Sequence, residues 1–131
     1  MMSEWEGKSD PEISKAVAET LGFTVKVSSW SLAAKKESMP YSEFLKGDVY
    51  YIDTTNKNID LPDYCNNPQD AWSIILNNNI VVTPCIGIDA GDATGYSEHS
   101  NPVEIEFYDD GKALRAAMIV YLEMNGVKPN E

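Results

Sequence analysis

The stretch YCNNPQDAW, residues 64–72, gathers a thiol, two amides, a carboxylate and an indole within nine positions. Such groups suit a small binding site, with Cys65, Asn66 and Trp72 as its side chains, because loops that lead into helices often carry function. The same residues also read as the start of a helix. Asn67 is a favoured N-cap, Pro68 suits the first position, and Asp70 places a carboxylate near the positive helix end. Trp72, Ile75 and Leu76 then follow at helical spacing and are expected to form its buried stripe. Cys65 and Asn66 are the polar groups that the cap does not use.

Three further groups could do chemistry. GIDAGDATGYSEHS holds Asp89, Asp92, Glu98 and the single histidine, His99. Oxygen and imidazole ligands of this kind could hold a divalent cation, as in a small metal-dependent hydrolase. Gly87, Gly91 and Gly95 recur every fourth residue there, which fits neither a dinucleotide fingerprint nor a P-loop, and glycine with aspartate between strands is ordinary turn chemistry. A nucleophilic thiol needs a positioned base, and one histidine allows only Cys65 or Cys85 with His99. Neither cysteine lies in a nucleophile motif, so both are expected to be small buried thiols. Asp109 and Asp110 stand before a helix and are expected to cap it. Arg115, inside an apolar helix, is expected either to pair with a carboxylate at the core's edge or to grip a ligand.

The elements around these groups can be laid out from pattern. SDPEISKAVAETLGF predicts a helix capped by Ser9 or Asp10, led by Pro11 and stopped by Gly22, with Ile13, Ala16, Val17, Thr20 and Leu21 on one face. FTVKVSSWSL and DVYYIDTT predict strands, AAKKESMPYSEFLKG and NKNIDLPD loops, and PQDAWSIILNN a helix. IVVTPCIGI predicts a strand that Pro84 confines to an edge, DAGDATGYSEHSNP a turn region, and VEIEFYDD a strand. GKALRAAMIVYLEMNG predicts a last helix stopped by Gly126. It is apolar nearly all round, so it is central in the fold or covered by a partner chain. The order α-β-β-α-β-β-α implies one α+β domain over residues 1–131, with a mainly antiparallel sheet packed against helices.

Composition narrows the function classes. A chain of 131 residues with 43% hydrophobic residues can build a core. No stretch approaches the roughly 18 apolar residues of a membrane helix, and the acidic MMSEWEGKSDPE lacks the basic region of a signal peptide. Two cysteines in no metal or redox spacing suit a reducing compartment. Of the net charge of −11, residues 41–131 carry 15 acids against 5 bases. That portion would repel phosphate, so direct nucleic-acid binding is disfavoured and a basic partner is favoured.

YCNNPQDAWSII and, some forty residues later, ALRAAMIVYLEM resemble the two signature segments of the NinX-like family of phage and prophage proteins, and EISKAVAETLGF is similar to that family's opening helix. The matching positions are Cys65, Asn66, Asn67, Pro68, Asp70, Ala71 and Trp72, then Leu114, Arg115, Ala116, Ala117 and Met118. The chain departs from the pattern in the long path through residues 35–63 and in Ser73, where the family has proline. The resemblance implies a small phage-encoded protein acting in the bacterial host cytoplasm, and it brings no established activity, catalytic residues or cofactor.

The expectation that follows is a non-enzymatic phage accessory protein. It would bind a host or phage macromolecule, in the first place a protein, through its acidic surface, with a DNA-mimicking inhibitor as one form. The alternative is the metal-dependent hydrolase using Asp89, Asp92, Glu98 and His99. A third expectation is self-association through the last helix.

Overall fold

A computed structural model of the chain describes residues 3–28, 49–53, 58–85, 87–97 and 100–129. A 3-10 turn, Glu4–Gly7, precedes helix α1, Asp10–Thr20. Strands β1 (Val25–Ser28), β2 (Val49–Asp53) and β3 (Asn58–Asp60) form one antiparallel sheet in that order. Helix α2, Pro68–Asn77, leads to β4 (Val81–Pro84), β5 (Gly91–Ser97) and β6 (Ser100–Phe107), a second antiparallel sheet in chain order. A 3-10 turn, Asp110–Lys112, then runs into helix α3, Ala113–Met124.

The helix ends follow local chemistry. Ser9 accepts from the backbone N–H of Glu12 and Glu12 reaches back to that of Ser9, a reciprocal cap with Pro11 in the first turn. Gly22 and Gly126 close α1 and α3 with positive φ, +101° and +69°. Asn67 caps α2 by accepting from Gln69 N–H at 3.0 Å, and Asp70 turns back to accept from Asp63 N–H at 3.1 Å. Asp109 accepts from Gly111 N–H within the turn before α3, whereas Lys112, the N-cap of α3, makes no side-chain cap.

Helix α3 is central. Ala116 through Leu122 are all buried, covered by α1, α2 and all three strands of the second sheet. The chain itself therefore accounts for a helix that is apolar all round. One hydrophobic cluster joins α1, α2, α3 and the second sheet with Trp5, Ile52, Tyr64 and Cys65.

The α+β class and antiparallel pairing stand, but each half of the chain holds one strand more than pattern predicted. Within NKNIDLPD, residues 58–60 pair with β2. DAGDATGYSEHSNP holds β5, the middle strand of its sheet. Its inward positions Gly91, Ala93 and Gly95 are all buried but too small to register as an apolar alternation. They are small because neighbours lie close: a side chain on Gly95 would meet Met124 and Val120 of α3. Among the described residues, the strand that holds Pro84 is an edge strand. Phe23 falls outside β1 and is exposed, and Leu21 at the end of α1 is exposed as well. The loop expected over residues 33–47 lies outside the described residues.

Helix α2 brings a correction. Trp72 and Leu76 are 60% and 55% exposed, and the buried stripe is Ala71, Ile74 and Ile75. Both sets fit a 3.6-residue period. The small Ala71, fully buried, turns this side of α2 inward and leaves the indole outside.

Candidate functional site

The two segments that stood out in the sequence meet the start of α1 at one carboxylate, Asp10. The N-cap of α1 places Asp10 at the helix's first position, the loop before α2 delivers Cys65 and Asn66, and the first turn of α3 delivers Arg115. Arg115 Nη1 donates to Asp10 Oδ1 at 2.6 Å, and Asn66 Nδ2 donates to Asp10 Oδ2 at 3.0 Å. The same amide group faces both carboxylate oxygens of Asp63, at 3.1 and 3.2 Å. Arg115 Nη2 donates to the carbonyls of Lys8 (2.6 Å) and Glu6 (3.0 Å), with that of Trp5 at 3.4 Å. One planar guanidinium thus ties α3 to α1 and to the 3-10 turn before it.

That turn is fastened at the far end of α3 as well. The Trp5 indole, itself buried, donates to the Val127 carbonyl at 2.9 Å, and the Ser3 hydroxyl donates to Glu123 at 2.6 Å. Trp5 escaped the sequence reading because EWEG has no period and makes only four residues of 3-10 turn.

Burial alone would raise the Asp10 pKa, but hydrogen bonds from Asn66 and Arg115 and the positive charges of Arg115 and Lys112 outweigh it and hold it below 3.8. The folded state therefore binds this proton more weakly than the unfolded chain. The resulting stability is complete above the unfolded value and is lost as pH falls through the folded one. The stability lead of the native chain over Asp10→Asn is expected to narrow as pH drops below about 4, which melting curves of both proteins across acid pH would record.

Cys65 lies beneath the same junction, with no exposed surface. Its thiol sits 3.8 Å from the Asp10 carbonyl and within 4.0 Å of the buried Ser14 hydroxyl. Burial pushes its pKa up to about 12, with the nearby Asp10 charge adding to the shift. A thiol so placed is a poor nucleophile at neutral pH. Cys85, expected to be buried, is exposed. A disulfide-exchange reagent is accordingly expected to titrate one thiol in the folded protein and a second only after denaturation.

Trp72 does not join Cys65, Asn66 and Arg115. With Leu76 it forms an exposed apolar pair one turn apart on the outer side of α2. The proposed metal ligands are only partly visible. Asp89 lies in the turn before β5 and Asp92 on β5 itself. Ser97 ends that strand, about 17 Å from Asp92 at the rise of an extended chain, and Glu98 and His99 lie outside the described residues. Among the described residues, no three His, Cys, Asp or Glu side chains are grouped to hold a metal ion.

Two surface features remain, both on the second sheet. Its outer face carries Asp92 opposite Glu106, and Glu104 opposite Thr94, with both glutamates exposed. Like charges directly opposite one another cost stability. On the inner side, an open groove of about 490 Å³ runs between β6 and α3. Ile105, Phe107, Ala116 and Ile119 make its apolar floor, and Glu6, Glu104, Glu106, Lys112 and Arg115 stand along its walls. Tyr108, also at the groove, donates its hydroxyl to Glu106. No helix among the described residues is long and apolar enough to cross a membrane.

Residues 7–125 match the family model described as Bacteriophage P22, NinX. Searches of curated proteins and of solved structures returned no significant match.

Proposed function

The chain belongs to the bacteriophage P22 NinX family, and from that premise we propose that this phage accessory protein works by binding a basic protein through the acidic outer face of its second sheet. The observation that carries this reading is the display of Asp92, Glu104 and Glu106 together on one sheet face, the two glutamates exposed. Residues Asp63, Asp70 and Glu123 are hydrogen-bonded to the chain's own polar groups, and Asp53 pairs with Lys26 at 2.8 Å, so those carboxylates serve the fold. The carboxylates on the outer face join no two elements of the fold, Glu106 accepting only from the exposed Tyr108 two residues along, and they would steer a cationic partner. Action in the bacterial cytoplasm belongs to the same proposal.

Glu104 and Glu106, two residues apart on one strand, sit about 6.8 Å apart, a spacing that would suit a DNA-mimicking inhibitor. Three carboxylates make a patch of the size a basic loop or strand would cover. Contacts of this kind are screened by salt. A tagged copy incubated with lysate of phage-infected cells is expected to retain a basic protein at low salt and release it as salt is raised. Retention that does not respond to salt would contradict the proposal.

A further inference from the structure

Among the described residues β6 is an edge strand with an apolar groove beside it, and hydrogen-bond parity shows which groups its outer side offers. Cys85 N–H donates to the Ala90 carbonyl at 2.8 Å, so residues 85 and 90 form a hydrogen-bonded pair. In an antiparallel ladder such pairs alternate with non-bonded ones. Following the register, Thr83–Asp92 and Val81–Thr94 are bonded, while Pro84–Gly91 and Val82–Ala93 are not. Gly91, Ala93 and Gly95 therefore turn their backbone groups to β6, where their partners are Phe107, Ile105 and Val103. The backbone groups of Glu104 and Glu106 must point the other way, and among the described residues no strand pairs with that edge. Pro102 stands where the β5–β6 register shifts, between Val103 and Ser100, an irregular position of the kind proline tolerates in a sheet.

We propose that this edge receives an extended, basic peptide segment as an added strand, lying in the groove between β6 and α3. The idea deepens the proposed function and rests on it, since it states how a basic partner would sit on this sheet. Backbone bonds to Glu104 and Glu106 would hold the segment, as in other strand-addition complexes. Its alternate side chains would fall beside the Glu104 and Glu106 carboxylates, where lysine or arginine pairs favourably across strands. The side chains between them would face Ile105, Phe107, Ala116 and Ile119, so they should be apolar. Arg115, though on the groove wall, is engaged with Asp10 and the carbonyls behind it, so Glu6, Glu104 and Glu106 outnumber the remaining cation, Lys112. A second copy of β6 is disfavoured, because pairing two such edges would set glutamate against glutamate. The same charges that repel a copy of the chain select a cationic strand.

The test uses the full chain and an eight-residue synthetic peptide alternating lysine with valine. Binding is followed by calorimetry and by amide hydrogen exchange. The peptide should bind, and the exchange of the Glu104 and Glu106 amides should slow by about tenfold or more when it does. N-methylating the peptide on one strand edge removes its backbone bonds to the chain, so affinity should fall about tenfold or more. The Glu104→Gln/Glu106→Gln variant, altered only at exposed positions, should keep its melting temperature and bind about tenfold more weakly. Equal binding of the N-methylated peptide, with unprotected Glu104 and Glu106 amides, would overturn strand addition. If the glutamine variant still bound more weakly in that case, the acidic-face reading would survive. Equal affinity of the glutamine variant and the native chain would overturn both. Failure of the peptide to bind at all would overturn strand addition, leaving the acidic face to be judged by the salt response of the captured protein.

Discussion

Replacing Arg115 with alanine is expected to destabilise the protein by about 3 kcal/mol, lowering its melting temperature by roughly 10 °C. The basis is what one side chain holds. Its guanidinium bonds Asp10 at 2.6 Å and reaches the carbonyls of Lys8, Glu6 and Trp5. Alanine would leave the carboxylate without its cation and remove the fork that fastens the first turn of the chain to α3. A hydrogen bond to a charged group contributes about 1.5–3 kcal/mol, and removing one partner of a buried ion pair costs about 3–5. Asp10 keeps 30% of its side chain in solvent, which places the expectation at the lower end of that range. Arg115→Lys should recover only a minor part of the loss, because an ammonium cannot span a carboxylate and two carbonyls in one plane. A double-mutant cycle with Asp10→Asn isolates the pair from the carbonyl bonds. Chemical denaturation with an unchanged midpoint for Arg115→Ala would show that the junction does not hold the fold.

The second large effect concerns β5, where two glycines on the same face should respond differently to one methyl group. A Cβ on Gly91 would collide with the Thr83 carbonyl and the Phe107 ring and stand 2.9 Å from the Pro84 Cα. Two of those neighbours are backbone, so β4 itself would have to move. Gly91→Ala is expected to cost about 3 kcal/mol, the upper end of overpacking penalties. At Gly95 the obstacles are the Met124 thioether and a Val120 methyl, both side chains. Methionine repacks readily, so Gly95→Ala is expected to cost about 1 kcal/mol. Urea midpoints for the two variants, with slopes equal to the native one, would test the order. Equal losses would contradict close packing against the β4 backbone.

These two positions also explain which parts of the fold could be read in advance. Helices announce themselves by their ends, and Ser9 with Pro11, Asn67 with Pro68, and Gly126 all serve as their types suggested. A helix with no polar face had to be central or covered by a partner chain, and α3 is covered by the chain's own elements. Strand β5 did not show, because alternation is visible only when inward residues are large. Here the inward Gly91, Ala93 and Gly95 are small so that α3 and the Phe107 ring can approach, and the outward Asp92 and Thr94 complete what looks like a turn. Trp72 was misplaced for a related reason: spacing gives a helix two plausible faces, and only the neighbour decides which one it covers. Asp10 could not be identified as the meeting point, since no local signal links residue 10 to residues 66 and 115. Arg115 and Asn66 were visible as polar groups in need of partners, and the structure supplies the same carboxylate to both.

The family-matching Cys65, Asn66 and Arg115 meet at Asp10, whereas the proposed binding role lies at a different place, the outer face and edge of the second sheet. The most direct measurement of that division is capture by the Asp92→Asn/Glu104→Gln/Glu106→Gln variant from lysate of phage-infected cells. Its melting temperature is expected to equal or exceed that of the native chain, since the Asp92–Glu106 repulsion is removed, and it is expected to lose the basic protein that the native chain retains. A variant that melts normally and still retains that protein would contradict the proposed binding role.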